Sequence, residues 1–159
     1  MYIKINKHSN IYIYIMSTTI DINKLLAALD NEDHSNLLNT DYQKIAKDKN
    51  DILQQLQYTP DKLKDLHKKL KYYRYIDELD DLKYGQYVRW INITNPNILK
   101  LTNGGFFLEI KMLDTGTHMM IKNNMNRVFQ IKMDECVIFQ KMSDQENVIL
   151  SALKYLNKD

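Results

Sequence analysis

One cysteine, two prolines, four glycines and a single tryptophan stand among 159 residues. The lone thiol, Cys136, closes no internal disulfide and builds no paired-cysteine zinc site. A free cysteine of this kind suits a reducing, intracellular compartment. So little Gly and Pro excludes collagen-like and low-complexity chains, and 44% apolar residues are enough for a core. No apolar run reaches the ~18 residues a membrane-spanning helix needs, so no membrane partner is expected. Charge of one sign is missing too. The 22 Lys and Arg are balanced by 20 Asp and Glu, which leaves no global affinity for polyanions. Arg and Ala are scarce, whereas Ile, Asn, Lys and Tyr together supply 64 residues. The abundant group has A/T-rich codons. An A/T-rich genome explains the bias, and the many Lys and Asn residues carry correspondingly less functional weight.

The chain reads as α+β: an N-terminal antiparallel helical hairpin, a small antiparallel β-barrel of five to six strands, and a C-terminal capping helix. Residues 1–19 read as a disordered lead, with a β edge strand over residues 1–15 as the alternative. Within it, residues 11–15 alternate Ile and Tyr, a β-prone pattern, without the basic start and small-residue cleavage site of a signal peptide. Met16, followed by Ser17 and Thr18, looks like a natural start. Residues 20–82 form the helical region. Ile22, Leu25, Leu26 and Leu29 fit two helical turns, and residues 30–40 read as a loop. Tyr42, Ile45, Lys49, Ile52 and Leu56 then repeat at steps of three and four, with Lys49 as the polar interruption. Thr59-Pro60 signals a second start, with Thr59 as hydroxyl cap. Leu63, Leu66, Leu70 and Tyr73 continue the spacing, giving a hairpin over 41–75.

Lys62, Lys64, Lys68, Lys69, Lys71 and Arg74 crowd the second helix, opposed in that span only by Asp65. With Tyr72, Tyr73 and Tyr75 interleaved, they suggest a phosphate-tracking stripe with stacking rings. Asp77, Glu78, Asp80 and Asp81 follow and cancel the charge, which favours a solvated face over a nucleic-acid interface.

From Gly85 the apolar period changes to two. Residues 87–93 read as a strand, Asn95-Pro96 breaks it, and Asn103-Gly104 reads as a two-residue hairpin turn. Phe106, Leu108, Ile110 and Met112 are expected to face the core, as are Phe129, Ile131 and Met133. On that register Phe129→Ala costs about 3–5 kcal/mol. The strands of residues 83–142 must curl to bury one face, hence a barrel. In residues 143–159, Ser143 and Glu146 form a capping box ahead of a helix expected to pack on the barrel.

The stretch Leu82-Lys83-Tyr84-Gly85-Gln86-Tyr87-Val88-Arg89-Trp90 resembles the first strand of Src-homology-3-like barrels of the Tudor, chromo and ribosomal-type groups, where a glycine precedes a strand of alternating Val and Arg. The resemblance covers about residues 82–142. It implies an aromatic partner-binding surface of Tyr84, Tyr87 and Trp90, against which stands the favoured reading of the same residues as core and rim packing. With a helical hairpin followed by Tyr84-Gly85-Gln86-Tyr87-Val88-Arg89-Trp90-Ile91-Asn92 and Leu101-Thr102-Asn103-Gly104-Gly105-Phe106-Phe107, the whole chain is similar to uncharacterised small proteins of A/T-rich giant DNA viruses, a likeness that implies the host cytoplasm or a virion and no activity.

Enzymatic motifs are weak. Leu113-Asp114-Thr115-Gly116-Thr117 matches the core of the aspartic-protease signature. That chemistry needs two aspartates sharing a proton, hence a dimer, and glycines downstream, and none follows Gly116. Asp114 therefore reads as a turn residue. His8, His34, His67 and His118 do not pair at metal-ligand spacing, and Cys136 reads as an inert buried thiol. Asn103-Gly104-Gly105 lacks the lysine and helix of a phosphate loop. The 77–81 carboxylates read as a connector. No cofactor, metal or catalytic residue is expected.

The sequence thus points to a non-enzymatic protein-interaction module with an unknown protein partner, the helical hairpin serving as a docking or dimerising arm. The alternative is a nucleic-acid-binding accessory protein using Lys62, Lys68, Lys69, Lys71, Arg74 and Arg89, with Lys100 and Arg127. Residues 84–142 carry seven cations against four anions, too modest an excess to favour it.

Overall fold

The computed structural model describes residues 42–156, of which residues 46–142 form one unit, while residues up to Ile45 and from Ser143 belong to another. The lead at 1–19, the apolar cluster of residues 20–29 and the loop at 30–40 lie outside the described residues. Among the described residues, three α-helices and a six-stranded antiparallel sheet make a mixed α+β fold.

Helix α1 (Tyr42–Gln55) and helix α2 (Pro60–Lys69) form the expected hairpin. The turn between them uses Gln57 with a φ of +56°. Thr59 holds the extended backbone of an N-cap and Pro60 occupies the first helical turn, as the sequence indicates. The Thr59 hydroxyl, however, makes no capping hydrogen bond. The hairpin stops short of residue 75. After Lys69 the chain turns, and strand β1 (Tyr73–Ile76) pairs with strand β6 (Cys136–Lys141), from Tyr73 opposite Lys141 to Ile76 opposite Ile138. Tyr-Arg-Tyr-Ile is rich in aromatic and β-branched side chains, and a free strand edge beats the helical spacing there.

Strands β2 (Tyr87–Asn92), β3 (Gly105–Leu113), β4 (Gly116–Lys122) and β5 (Val128–Lys132) complete the sheet, in the order β1-β6-β2-β3-β4-β5. The sheet is not a closed barrel. β6 lies beside β2, but β1 takes the outer side of β6 and forms one edge, while β5 forms the other. Closure would need a ladder between those two, and none forms. Both faces of its β6–β2 region are nonetheless buried. On one face Leu53, Leu66 and Leu70 of the hairpin region pack with Ile91, Leu101, Val137 and Phe139. On the other, Ile76, Val88, Trp90, Phe107, Met119, Ile121 and Ile138 form a second cluster. The apolar stripe of the hairpin, expected to serve as an arm, is thus covered by the sheet.

Three sequence expectations about the strands need correction. Asn103-Gly104 is not a hairpin turn. Residues 93–104 leave β2 and return beside it: Leu101 bridges to Ile91, and the Thr102 amide donates to the Trp90 carbonyl at 3.0 Å. Gly104, with φ +87°, marks the bend where this returning segment enters β3. A Cβ there would lie 2.1 Å from the Val88 carbonyl oxygen, and one on Gly105 would lie 2.6 Å from that of Lys122. The glycines serve close backbone approach as well as positive φ.

Phe106 and Leu108 do not face the core. The β3–β4 register shifts between Phe107 and Glu109, so an extra residue is accommodated there. Before the bulge Phe107 points inward, 1% exposed, and Phe106 outward; after it Ile110 packs on the core as expected. Met112, near the hairpin tip, is exposed.

Phe129 is paired with Ile121, on the core-facing side, but it sits on the edge strand and remains 41% exposed. Ile131 and Met133 do pack against the second cluster. In urea unfolding, Phe107→Ala is expected to cost about 3–5 kcal/mol. Phe129→Ala should cost about 1–2 kcal/mol, because much of its ring already meets water. Equal losses would contradict the bulged register.

Lys49 interrupts the α1 stripe yet is only 8% exposed. Its ammonium donates to the carbonyls of Leu70 at 2.8 Å and Tyr73 at 2.9 Å, tying down the turn from α2 into β1. Burial lowers its pKa from 10.5 to about 8. Between those values the unfolded chain binds more protons than the folded one, so this group's contribution makes stability rise with pH. From about pH 7.5 to about pH 9 the wild type should gain about 1 kcal/mol relative to Lys49→Met in urea unfolding. No difference between the two would place the ammonium in water.

Helix α3 (Asp144–Leu156) opens on the capping box that the sequence indicates. The Glu146 amide donates to the Ser143 hydroxyl at 3.1 Å, and the Ser143 amide donates to the Glu146 carboxylate at 2.7 Å.

Candidate functional site

A cleft of about 380 Å³ opens between the returning segment and the β4–β5 turn, lined by Tyr87, Trp90, Thr102, Asn103, Gly104, Asn123, Asn124, Met125 and Phe129. Each wall is fixed locally. Trp90 stands on β2, 9% exposed, and belongs to the second core cluster while contributing to the cleft. Its amide is held by the Thr102 hydroxyl at 3.1 Å. The Tyr87 hydroxyl donates to the Asn103 carbonyl at 2.8 Å, and its ring meets Phe106 edge-on with centroids 5.1 Å apart. Across the cleft, the Asn123 side-chain oxygen accepts from the amides of Met125 and Arg127, both at 2.9 Å, and Asn126 takes a φ of +58°. That turn holds Met125 out at the rim, largely exposed. Among the described residues no charged side chain lines the cleft.

Of the three aromatic residues singled out by the sequence, Tyr87 and Trp90 come together here and Tyr84 does not line the cleft. Tyr84 is exposed and stacks on Phe107, centroids 5.1 Å apart and planes 20° apart. Met125 and Phe129 carry no local signal of their role. They reach the cleft only through the β4–β5 pairing, although the Asn-rich turn at 123–126 marks where they emerge.

The six cations of the alternative reading do not form one stripe. Arg74 donates to the Asp81 carbonyl, and the Arg89 guanidinium to the Thr102 carbonyl at 2.7 Å, so both brace loops. Lys71 lies over the Tyr72 ring, 5.2 Å from its centroid. Lys68 is exposed on α2. Lys62 and Lys69 line a second cleft beside the segment 97–101, together with Lys100.

Asp114 lies exposed in the tight connection between Leu113 and Gly116, whose φ is +123°. That is the turn position the sequence assigns to it. His118 on β4 joins Thr115 of the β3–β4 turn at 2.8 Å and Gln130 of β5 at 3.1 Å. His67 meets Asn50 at 3.2 Å, and burial together with the Lys49 charge lowers its pKa. Among the described residues no group of three His, Cys, Asp or Glu side chains is placed to hold a metal, and no helix is long and apolar enough to cross a membrane. Burial, reinforced by the charges of Glu135 and Asp134, pushes the Cys136 thiol up to about 11. Its alkylation by a maleimide near pH 7.5 should run about a hundredfold slower than that of free cysteine. A rate matching the free thiol would mark it as exposed.

Comparison with known proteins finds no matching family model, no matching curated protein and no matching solved structure.

Proposed function

We propose that this chain is a non-enzymatic protein-interaction module that holds an extended, uncharged peptide segment of a partner along β5, with one apolar side chain in the Trp90 cleft. The observation that carries the reading is the meeting of two features at Phe129. This residue belongs to the edge strand β5 and also lines the cleft. An unpaired edge offers backbone groups to an added strand. A neighbouring aromatic cleft supplies the selective contact, with Thr102, Asn103 and Asn124 as polar orienting groups. The lining lacks a carboxylate to balance a cationic side chain, which favours a neutral ligand.

The only tryptophan is the reporter. Peptides selected from a random displayed library on the full chain should be apolar and uncharged at their shared positions and should shift Trp90 emission. Met125→Asp places a charge at an exposed rim position and should weaken them about tenfold at unchanged melting temperature, whereas Lys100→Glu should leave them unaffected. Selected peptides that leave the emission unchanged, or that tolerate Met125→Asp, would refute the assignment, as would a library that yields no binder.

A further inference from the structure

The second cleft has different chemistry. It measures about 460 Å³ and lies between α2 and the segment 97–101. Its apolar lining comes from Leu66, Leu99 and Leu101, with Ile98 standing 66% exposed. Among the described residues, Lys62, Lys69 and Lys100 contribute the cationic groups and Asp65 the only carboxylate. Asp65 pairs with Lys69 at 2.7 Å. Lys62 lies 5.3 Å from the centre of the Tyr58 ring, whose hydroxyl donates to the Leu99 carbonyl at 3.1 Å and so ties the segment to the hairpin. Lys100 has no ion-pair partner among the described residues.

We infer that this cleft docks an acidic segment of a partner protein that alternates carboxylates with aliphatic side chains. Three lysines against one aspartate leave a net positive rim, which demands anionic groups in the occupant. The apolar lining is aliphatic, so it accepts Leu, Ile or Val between those carboxylates. A single-stranded nucleic acid brings the charge but needs exposed rings on which its bases stack, and among the described residues no aromatic one lines this cleft. The segment 97–101 is shaped for the purpose without being a regular strand: the Asn97 amide is held by the Asn95 side chain at 3.0 Å, and Leu101 is anchored opposite Ile91. Ile98 is thereby left turned out toward solvent. This site is separate in residues and in charge from the Trp90 cleft, and its test does not depend on that assignment.

The experiment is fluorescence anisotropy with the full chain and a labelled peptide of alternating Glu and Leu. A Gln-Leu peptide and an oligothymidylate serve as competitors. The Glu-Leu peptide should bind, and unlabelled Gln-Leu peptide and oligothymidylate should compete poorly. Lys62→Glu and Lys100→Glu, both at exposed positions, should each weaken binding about tenfold with unchanged circular dichroism. Lys68→Glu changes net charge by the same amount outside the cleft and should have little effect, as should Met125→Asp. An equal loss with Lys68→Glu would reduce the effect to general electrostatics. Tighter binding of oligothymidylate would replace the peptide by nucleic acid. No binding of the Glu-Leu peptide would refute the site.

Discussion

The unit of residues 46–142 depends on two-sided burial of one strand. β6 sits between β1 and β2, and its side chains alternate between two cores: Val137 and Phe139 toward the helical hairpin, Ile138 toward the cluster of Trp90, Phe107 and Met119. A strand with no solvent face leaves no position for an unsatisfied polar group. Gln140, the one buried polar residue of the strand, meets this condition by imitating backbone. Its amide oxygen accepts from the Lys83 amide and its amide nitrogen donates to the Lys83 carbonyl, each at 3.0 Å. Left unpaired, a buried amide of this kind would cost about 1–3 kcal/mol. The bond pair also anchors the connector just before Tyr84 and Gly85, and so sets where β2 begins.

Local signals in the sequence were reliable where one residue's neighbours along the chain decide its state. The three-and-four spacing of Ile45, Ile52, Leu63 and Leu66 places two helices, Thr59-Pro60 marks a start, and Ser143 with Glu146 marks another. They misled wherever a distant segment decides. Tyr73 continues a helical stripe in sequence but meets β6 in space. Asn103-Gly104 has the composition of a hairpin turn, while its glycines answer to the backbones of Val88 and Lys122. Phe106 obeys a strict alternation that the bulge after Phe107 breaks. Lys49 reads as a flaw in an apolar stripe because nothing nearby in sequence announces the two carbonyls it serves. The Trp90 cleft was legible only in part for the same reason: Tyr87 and Trp90 lie on one strand, whereas Met125 and Phe129 arrive by pairing.

The two clefts divide the surface chemistry. Around Trp90, aromatic rings and amides meet without a charge. Beside α2, lysines stand over aliphatic side chains. Elsewhere in this unit several basic residues have internal duties: Lys49 on carbonyls, Arg74 and Arg89 on loops. A lysine-rich composition thus resolves into structural cations and a few free ones. Only the second group bears on recognition, and a count of basic residues cannot separate the two.

The position of β6 near the end of the unit has a consequence for synthesis. α1, α2 and the β3–β4–β5 meander involve partners close in the chain, so each is able to form soon after leaving the ribosome. β1 and β2 both wait for β6, the former across more than sixty residues. Until that strand emerges, Leu53, Leu66 and Leu70 face water without their cover, and β2 has only its short pairing with β3. Closing so long a loop is slow compared with forming a helix or a hairpin. A nascent chain cut short before residue 136 therefore carries an open apolar face and unpaired strand edges, the kind of surface that chaperones engage.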